Sequence, residues 1–259
     1  MSNFEFDGKK YKKASKHQKE WGNSLISRLE LGGDEIILDL GCGDGVLSEQ
    51  LSLLVPEGKV IGIDSSKGMI KTANKCERDN LSFICMDVND MNFINDFDII
   101  FSNAALHWVK NHEKLLKKSL IALKPKGMIR WNFAGDGNCS NFFEIVKSVI
   151  NEDDYKGYFL NFEWPWYMPS NEEYEELIEK IGFSSVSVDQ ENKDRYFSNV
   201  DEMIKWIDQP SIVPFIQGLP DNKKENFRNI VINRMIEKTK QLDGRCFETF
   251  RRIDVKAVK

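Results

Sequence analysis

Apolar residues in this chain fall into short runs separated by turn-forming residues, and the runs alternate between two periods. Ile36-Ile37-Leu38-Asp39-Leu40 is an almost wholly apolar pentad, as expected of a strand covered on both faces rather than one with a wet side. Lys59-Val60-Ile61-Gly62-Ile63-Asp64, residues 81–88, Phe97-Asp98-Ile99-Ile100-Phe101-Ser102-Asn103 and residues 127–133 repeat the pattern. Between them the spacing becomes helical. Residues 14–31 place Trp21, Leu25, Ile26 and Leu29 on one side and stop at Gly32-Gly33; Val46, Leu47, Leu51 and Leu54 form a second stripe. Further helices are predicted over 66–76, where Asp64 or Ser65 would serve as the cap, and over 112–123, ended by the turn signal Lys124-Pro125-Lys126-Gly127. Five strands alternating with helices predict an α/β fold with a doubly wound, mostly parallel sheet.

Beyond residue 133 the regularity weakens. An amphipathic helix carries Phe142, Phe143, Val146, Val149 and Ile150, and an aromatic run follows at Trp164-Pro165-Trp166-Tyr167. A helix over 172–181 leads through Gly182 into a strand over 183–188. Residues 199–242 read as helix interrupted by Pro210, Pro214 and Pro220, and 247–258 as a closing strand. The expectation is a single domain over 1–259, with an N-terminal helical segment (1–34), a core (35–133) and two segments (134–168 and 196–242) forming a helical cover over the site.

The first strand ends in Gly41-Cys42-Gly43-Asp44-Gly45 and runs straight into a helix. Strand, glycine turn and helix make a cradle in which a ligand approaches the main chain closely. Asp64 follows about 20 residues later, where nucleotide-binding α/β folds place a carboxylate to accept ribose hydroxyls. Asp64, Asp87 and Asn103 all stand at carboxyl ends of strands, so the topology converges them on one crevice. The glycines lack the third-glycine spacing of G-x-G-x-x-G, which argues against a nicotinamide dehydrogenase.

Composition narrows the picture. The chain has 259 residues, a net charge of −5 and 41% hydrophobic residues, enough for one α/β domain with an insertion. Its mild acidity gives no footprint for nucleic acid, and the lysine clusters at 9–13 and 114–118 read as solvated faces. Residues 1–9 lack an apolar core for a secretory signal, and no run approaches the roughly 20 residues needed to span a bilayer. Five scattered cysteines without a C-x-x-C pair indicate neither a disulfide framework nor a metal site. The expectations are a cytoplasmic location, no membrane, no nucleic acid and no metal; the oligomeric state is not legible.

Taken together, Leu38-Asp39-Leu40-Gly41-Cys42-Gly43-Asp44-Gly45, Asp64, Asp87-Val88 and Lys124-Pro125-Lys126-Gly127 resemble the class I S-adenosylmethionine-dependent methyltransferases. The resemblance covers residues 35–133. It implies a Rossmann-like fold with a seventh, antiparallel strand, for which 247–258 is the candidate. It also implies that the glycine loop approaches the methionine part of S-adenosyl-L-methionine, that Asp64 holds the ribose and that Asp87 reaches the adenine amino group. The implied cofactor set is Asp39, Gly41, Cys42, Gly43, Asp64, Ser65, Met69, Asp87, Val88, Asn103 and Ala104. Phe101-Ser102-Asn103-Ala104-Ala105-Leu106-His107-Trp108-Val109 is similar to a motif of small-molecule carboxyl methyltransferases, notably the trans-aconitate and juvenile hormone acid enzymes. Residues 11–18 are similar to the latter, and segments from Ile204 to Arg245 to the former. This makes Gln18, His107 and Trp108 candidates for contact with the acceptor's oxygens.

The activity implied is methyl transfer to a small-molecule acceptor, with S-adenosyl-L-homocysteine as product. A carboxylate nucleophile is already ionised near pH 7 and needs no base, so His107 is expected to position rather than to move protons. Methyl-ester formation is the reading this favours. Transfer to nitrogen or carbon, and a non-catalytic cofactor-binding protein on the same fold, stay open, because fold alone does not choose among acceptors.

Overall fold

The computed structural model describes residues 16–259, and the side chains of residues 16–18, 209 and 210 are not among those described. The lysine cluster at 9–13 and most of the segment at 11–18 therefore lie outside the described residues. Helix α1 (Lys16–Ile26) leads into β1 (Ile36–Leu40), α2 (Val46–Leu54), β2 (Lys59–Asp64), α3 (Lys67–Ala73), β3 (Leu81–Cys85), β4 (Phe97–Asn103), α4 (His112–Ala122) and β5 (Leu123–Ala134). Strands β1 to β5 are parallel in the order 3-2-1-4-5. The period-two pattern of β1 explains why helices wind on both sides. Ile37 packs with Leu25, Leu51 and Ile70 on one face, whereas Leu38 and Leu40 join Leu115, Leu116, Tyr174 and Ile178 on the other.

The chain divides into two compact units. The first holds this sheet together with α6 (Asn171–Ile181), β6 (Ser184–Asn192) and β9 (Arg251–Val258), the last lying antiparallel to β5 and between it and β6. The second, residues 136–165 and 192–251, contains α5 (Ser140–Ile150), α7 (Val200–Trp206), α8 (Val213–Gln217), α9 (Asp221–Thr239) and a ribbon of β7 (Arg195–Phe197) and β8 (Cys246–Glu248). Its interior is aromatic: Trp206 packs against Phe142, Phe197 and Phe250, and Trp164 against Phe143 and Phe215. Glu248, fully buried, accepts from the amides of Asn141 and Phe142 and so satisfies the first turn of α5.

Four expectations are corrected. The closing strand expected over 247–258 is two strands in different sheets. The break falls at Phe250, whose amide donates to the Asp194 carboxylate instead of a ladder carbonyl. The turn expected at Lys124-Pro125-Lys126-Gly127 is a bulge inside β5. Register jumps from Phe97 opposite Leu123 to Ile99 opposite Met128, with Lys126 in the left-handed region at φ 67°. Neither Asp64 nor Ser65 caps α3. Ser66 does, its Oγ accepting from Met69 N at 3.3 Å. Pro214 and Pro220 start helices rather than interrupt one, lying in the first turn of α8 and at the cap of α9. Among the described residues, no helix is long and apolar enough to cross a membrane.

One buried carboxylate braces β1 against the helix that follows it. Asp39 is 2% exposed and accepts from Ser48 Oγ at 2.6 Å. Burial, opposed by that hydrogen bond and reinforced by the charge of Asp64, pushes its pKa up to about 7. A carboxyl whose folded pKa lies above its unfolded value stabilises the fold while protonated, and that contribution is lost as pH rises toward the folded pKa. Stability of the ligand-free protein is therefore expected to fall between about pH 4 and pH 7, on the order of 4 kcal/mol from this group alone. Asp39→Asn should flatten that slope in urea unfolding; a slope parallel to the wild type would contradict the assignment.

Candidate active site

The seam between β1 and β4 is where strand order reverses, and open α/β sheets hold ligands beyond the strand carboxyl ends at that point. The chain leaves β1 there with Gly41, Gly43 and Gly45 at φ 70°, 56° and 81°, a region that side chains with a Cβ avoid. The amides of Gly41 and Cys42 donate to Ile63 O at 2.8 and 3.0 Å, and Gly43 N donates to Asp64 Oδ2 at 3.1 Å. A Cβ on Gly45 would come within 2.8 Å of the Phe83 ring and 3.0 Å of Ala73 Cα. On Gly43 it would meet nothing within 4 Å. Packing demands the first glycine. The second presents open main chain, as a ligand cradle requires.

Asp64 also accepts from Ser66 N at 2.8 Å through Oδ1. Burial raises its pKa, with the two backbone donors opposing. Each oxygen keeps a second lone pair with which to accept from a ligand hydroxyl. Cys42 is buried, and its thiol is pushed well up by burial and by the carboxylates of Asp39, Asp64 and Asp44, so it stays protonated. Ser65 lies between Asp64 and the Ser66 cap, and Met69 and Val88 are buried beside these strand ends. Asp87 follows β3 and accepts from Asn89 N at 2.8 Å and Asn89 Nδ2 at 3.0 Å. Asn89 Oδ1 is buried and takes no hydrogen bond.

At the end of β4, Asn103 is buried and Ala104 is left-handed at φ 57°, its amide donating to Asn132 O at 2.7 Å. The turn after it carries His107 and Trp108. His107 O accepts from Tyr167 N at 2.9 Å, and the Trp108 ring lies 5.1 Å from that of Trp166. The His107 ring is half-buried, with Nδ1 out of solvent and without a hydrogen-bond partner. Burial, then the positive charges of Arg252 and His112, push its pKa down to about 3, so the imidazole is neutral at physiological pH. His112 is a different kind of histidine. Its Nε2 donates to Leu106 O at 2.9 Å, which leaves Nδ1 to accept from the Tyr174 hydroxyl at 2.7 Å. It steadies the turn from beneath.

Helix α1 reaches the same strand ends. Lys19 Nζ pairs with Asp44 of the glycine loop at 3.0 Å. A Cβ on Gly22 would lie 2.3 Å from the Leu47 side chain and 3.1 Å from Asn103 Nδ2, so the helix approaches this closely without displacing those side chains because the residue is glycine. Trp21 stacks on the Arg252 guanidinium, 4.3 Å from ring centroid to Cζ. Gln18 lies in α1 about one turn before Trp21 and Gly22; its side chain lies outside the described ones.

The sequence-predicted residues at the ends of β1 to β4 are thus gathered along one rim. Sequence reasoning missed Lys19–Asp44, His112–Tyr174 and the polar cluster of Arg252, Asn132, Glu191, Asp254, Arg28 and Arg130. A signal existed: Arg130 and Asn132 alternate within residues 127–134, a run otherwise without polar side chains, and buried polar groups must find partners. What the sequence withheld was that β9 supplies them. Among the described residues no cluster of three or more metal-ligating side chains occurs.

Residues 37–127 match the family model of a methyltransferase domain. Along 254 residues the chain is 26% identical to an uncharacterized methyltransferase of Schizosaccharomyces pombe, covering 96% of this chain and 95% of that protein. It is 26% identical over 200 residues to a trans-aconitate 2-methyltransferase of Deinococcus radiodurans, covering 75% and 76%. The fold superimposes with a TM-score of 0.62 and 19% identity on a Haemonchus contortus phosphoethanolamine N-methyltransferase 2 in complex with S-adenosyl-L-methionine. That alignment covers 97% of this chain and 56% of the other, so this chain spans little more than half of that enzyme. A sheet in this order, a glycine loop whose main chain stands open at Gly43 and a matched methyltransferase domain identify residues 37–127 as the domain of a class I S-adenosylmethionine-dependent methyltransferase.

Proposed function

We propose that this methyltransferase forms a methyl ester on a carboxylate oxygen of a small-molecule acid. The observation that carries the reading is the buried Nδ1 of His107, which takes no hydrogen bond among the described residues, an environment that disfavours the imidazolium. With its pKa pushed down to about 3, the imidazole is too weak a base to take a proton from an ammonium or a phenol near neutrality. A carboxylate asks for no proton transfer. The trans-aconitate relative is named for a carboxylic acid, which supports the same choice.

The cofactor supplies an electrophilic methyl group when bound. The chain's own residues do the rest by placement. Gly41, Cys42 and Gly43 are assigned to the methionine moiety, Asp64 and Ser65 to the ribose, and Asp87, Val88 and Met69 to the adenine, with Asp39 bracing the loop and Asn103 and Ala104 closing the crevice. Asn89 Oδ1, buried and unbonded, is a further acceptor on the adenine side. His107, Trp108 and Gln18 are assigned to the acceptor, and alignment of this kind is worth several kcal/mol of barrier, up to about 7–11 in favourable cases. The protonated Cys42 thiol does not compete for the methyl, since thiolate rather than thiol is the nucleophile. Residues 136–165 and 192–251 lie outside residues 37–127, the span that the family model matches.

Release of S-adenosylhomocysteine with pooled carboxylic acids, amines and phenols tests the proposal. Turnover with the acid pool alone, giving a product that yields methanol in alkali, is the expected result. An alkali-stable product from the amine or phenol pool would contradict it. The glycine loop gives a second test through paired substitutions. Gly43→Ala should weaken S-adenosylhomocysteine binding by roughly ten-fold or more with a stability loss of only about 1–2 kcal/mol. Gly45→Ala should instead lower the unfolding free energy by about 2–4 kcal/mol through overpacking. Similar behaviour of the two variants in calorimetry and urea unfolding would contradict the assigned division of labour.

A further inference from the structure

Arg252 stands at the start of β9, 3% exposed, with its guanidinium fixed on three sides. Nε donates to Asn132 Oδ1, Nη2 donates to Asn132 O at 2.8 Å, and the Trp21 ring covers one face. That same Asn132 carbonyl receives the amide of Ala104, the residue that opens the turn to His107. The cation is therefore locked to the element that carries the acceptor-side histidine, close enough for its charge to disfavour protonation there. His107 in turn holds a buried Nδ1 with no partner among the described residues, which a ligand atom can complete.

We propose that Arg252 makes this site select an anionic acceptor, its guanidinium drawing the acceptor's carboxylate to the side of His107, where the imidazole hydrogen-bonds one oxygen. The inference rests on the carboxylate reading above and assigns its charge selectivity to one residue. A fixed charge among low-dielectric groups acts over a longer range than one in water, so the guanidinium need not leave Asn132 to do this. Lysine would keep the charge but not the two-pronged grip on Asn132. Arg252 is a positioning residue by this account, and its effect is on acceptor binding rather than on the cofactor.

The test is NMR of the His107 ring in the full chain saturated with S-adenosylhomocysteine, with the resonance assigned through His107→Gln. Acetate, malonate and trans-aconitate are titrated as probes. The expected result is a saturable shift with at least one acid, weakened roughly ten-fold or more in Arg252→Gln and about three-fold or less in Arg252→Lys. Affinity for S-adenosylhomocysteine should change by no more than about two-fold, and the His107 pKa should rise in the Gln variant. No saturable shift with any of the three acids, or equal affinities in wild type and Arg252→Gln, overturns the inference. Should Arg252→Gln fail to fold, acetate against acetamide on the wild type decides: preference for the anion supports the proposal and equal binding overturns it. Failure of the ester reading is separately visible, as methylation confined to amines or phenols. Acids methylated equally well by Arg252→Gln would remove the Arg252 assignment alone.

Discussion

One carboxylate ties together the parts of this protein that have to meet. Asp64, the last residue of β2, accepts from the amide of Gly43 in the loop after β1 and from the amide of Ser66 at the head of α3. The glycine loop, the end of the second strand and the start of the third helix are thereby fixed to one another. An acceptor that is charged, or can become so, binds a backbone donor more strongly than a neutral one, about 1.5–3 kcal/mol per bond. A replacement that cannot accept leaves both amides without their partner. The loop's open main chain at Gly43 is held in place by this carboxylate, so the cradle and its brace are one structure.

The same logic governs the other half of the site. Strained backbone persists only where its surroundings over-determine it, and left-handed Ala104 is held by the Asn132 carbonyl, which Arg252 also grips. His112 and Tyr174 support the following turn from the core side, and the Tyr167 amide pins it from the other. Two histidines five positions apart thus divide the work. His112 spends both ring nitrogens on structure, whereas Nδ1 of His107 takes no hydrogen bond among the described residues. Both are neutral for the same reason, burial, which is why neither behaves as an ordinary surface histidine near pH 7.

What the sequence made legible follows from where information is local. The short apolar runs, with the glycine stop after the first, define β1, β2 and β4 to the residue, because strands buried on both faces have no competing pattern. The convergence of Asp64, Asp87 and Asn103 follows from topology alone. The region from 247 to 258 was misread because continuity of apolar residues says nothing about which sheet each residue joins; the break at Phe250 is made by Asp194, more than fifty positions away. The bulge in β5 resembled a turn because Pro125 and Gly127 punctuate both. The Arg252 cluster was invisible for a deeper reason: its partners sit on α1, β5, β6 and β9, and no local window contains them.

In the proposed site the strand ends form one crevice for S-adenosylmethionine, organised by Asp64. Calorimetric titration of S-adenosylhomocysteine into the wild type and into Asp64→Asn, a substitution of nearly equal shape, is the decisive experiment. One site per chain is expected in the wild type and binding weaker by roughly ten-fold or more in the variant, since charged hydrogen bonds to loop and ligand are lost together. Absence of binding by the wild type, or equal affinity in the folded variant, would contradict it.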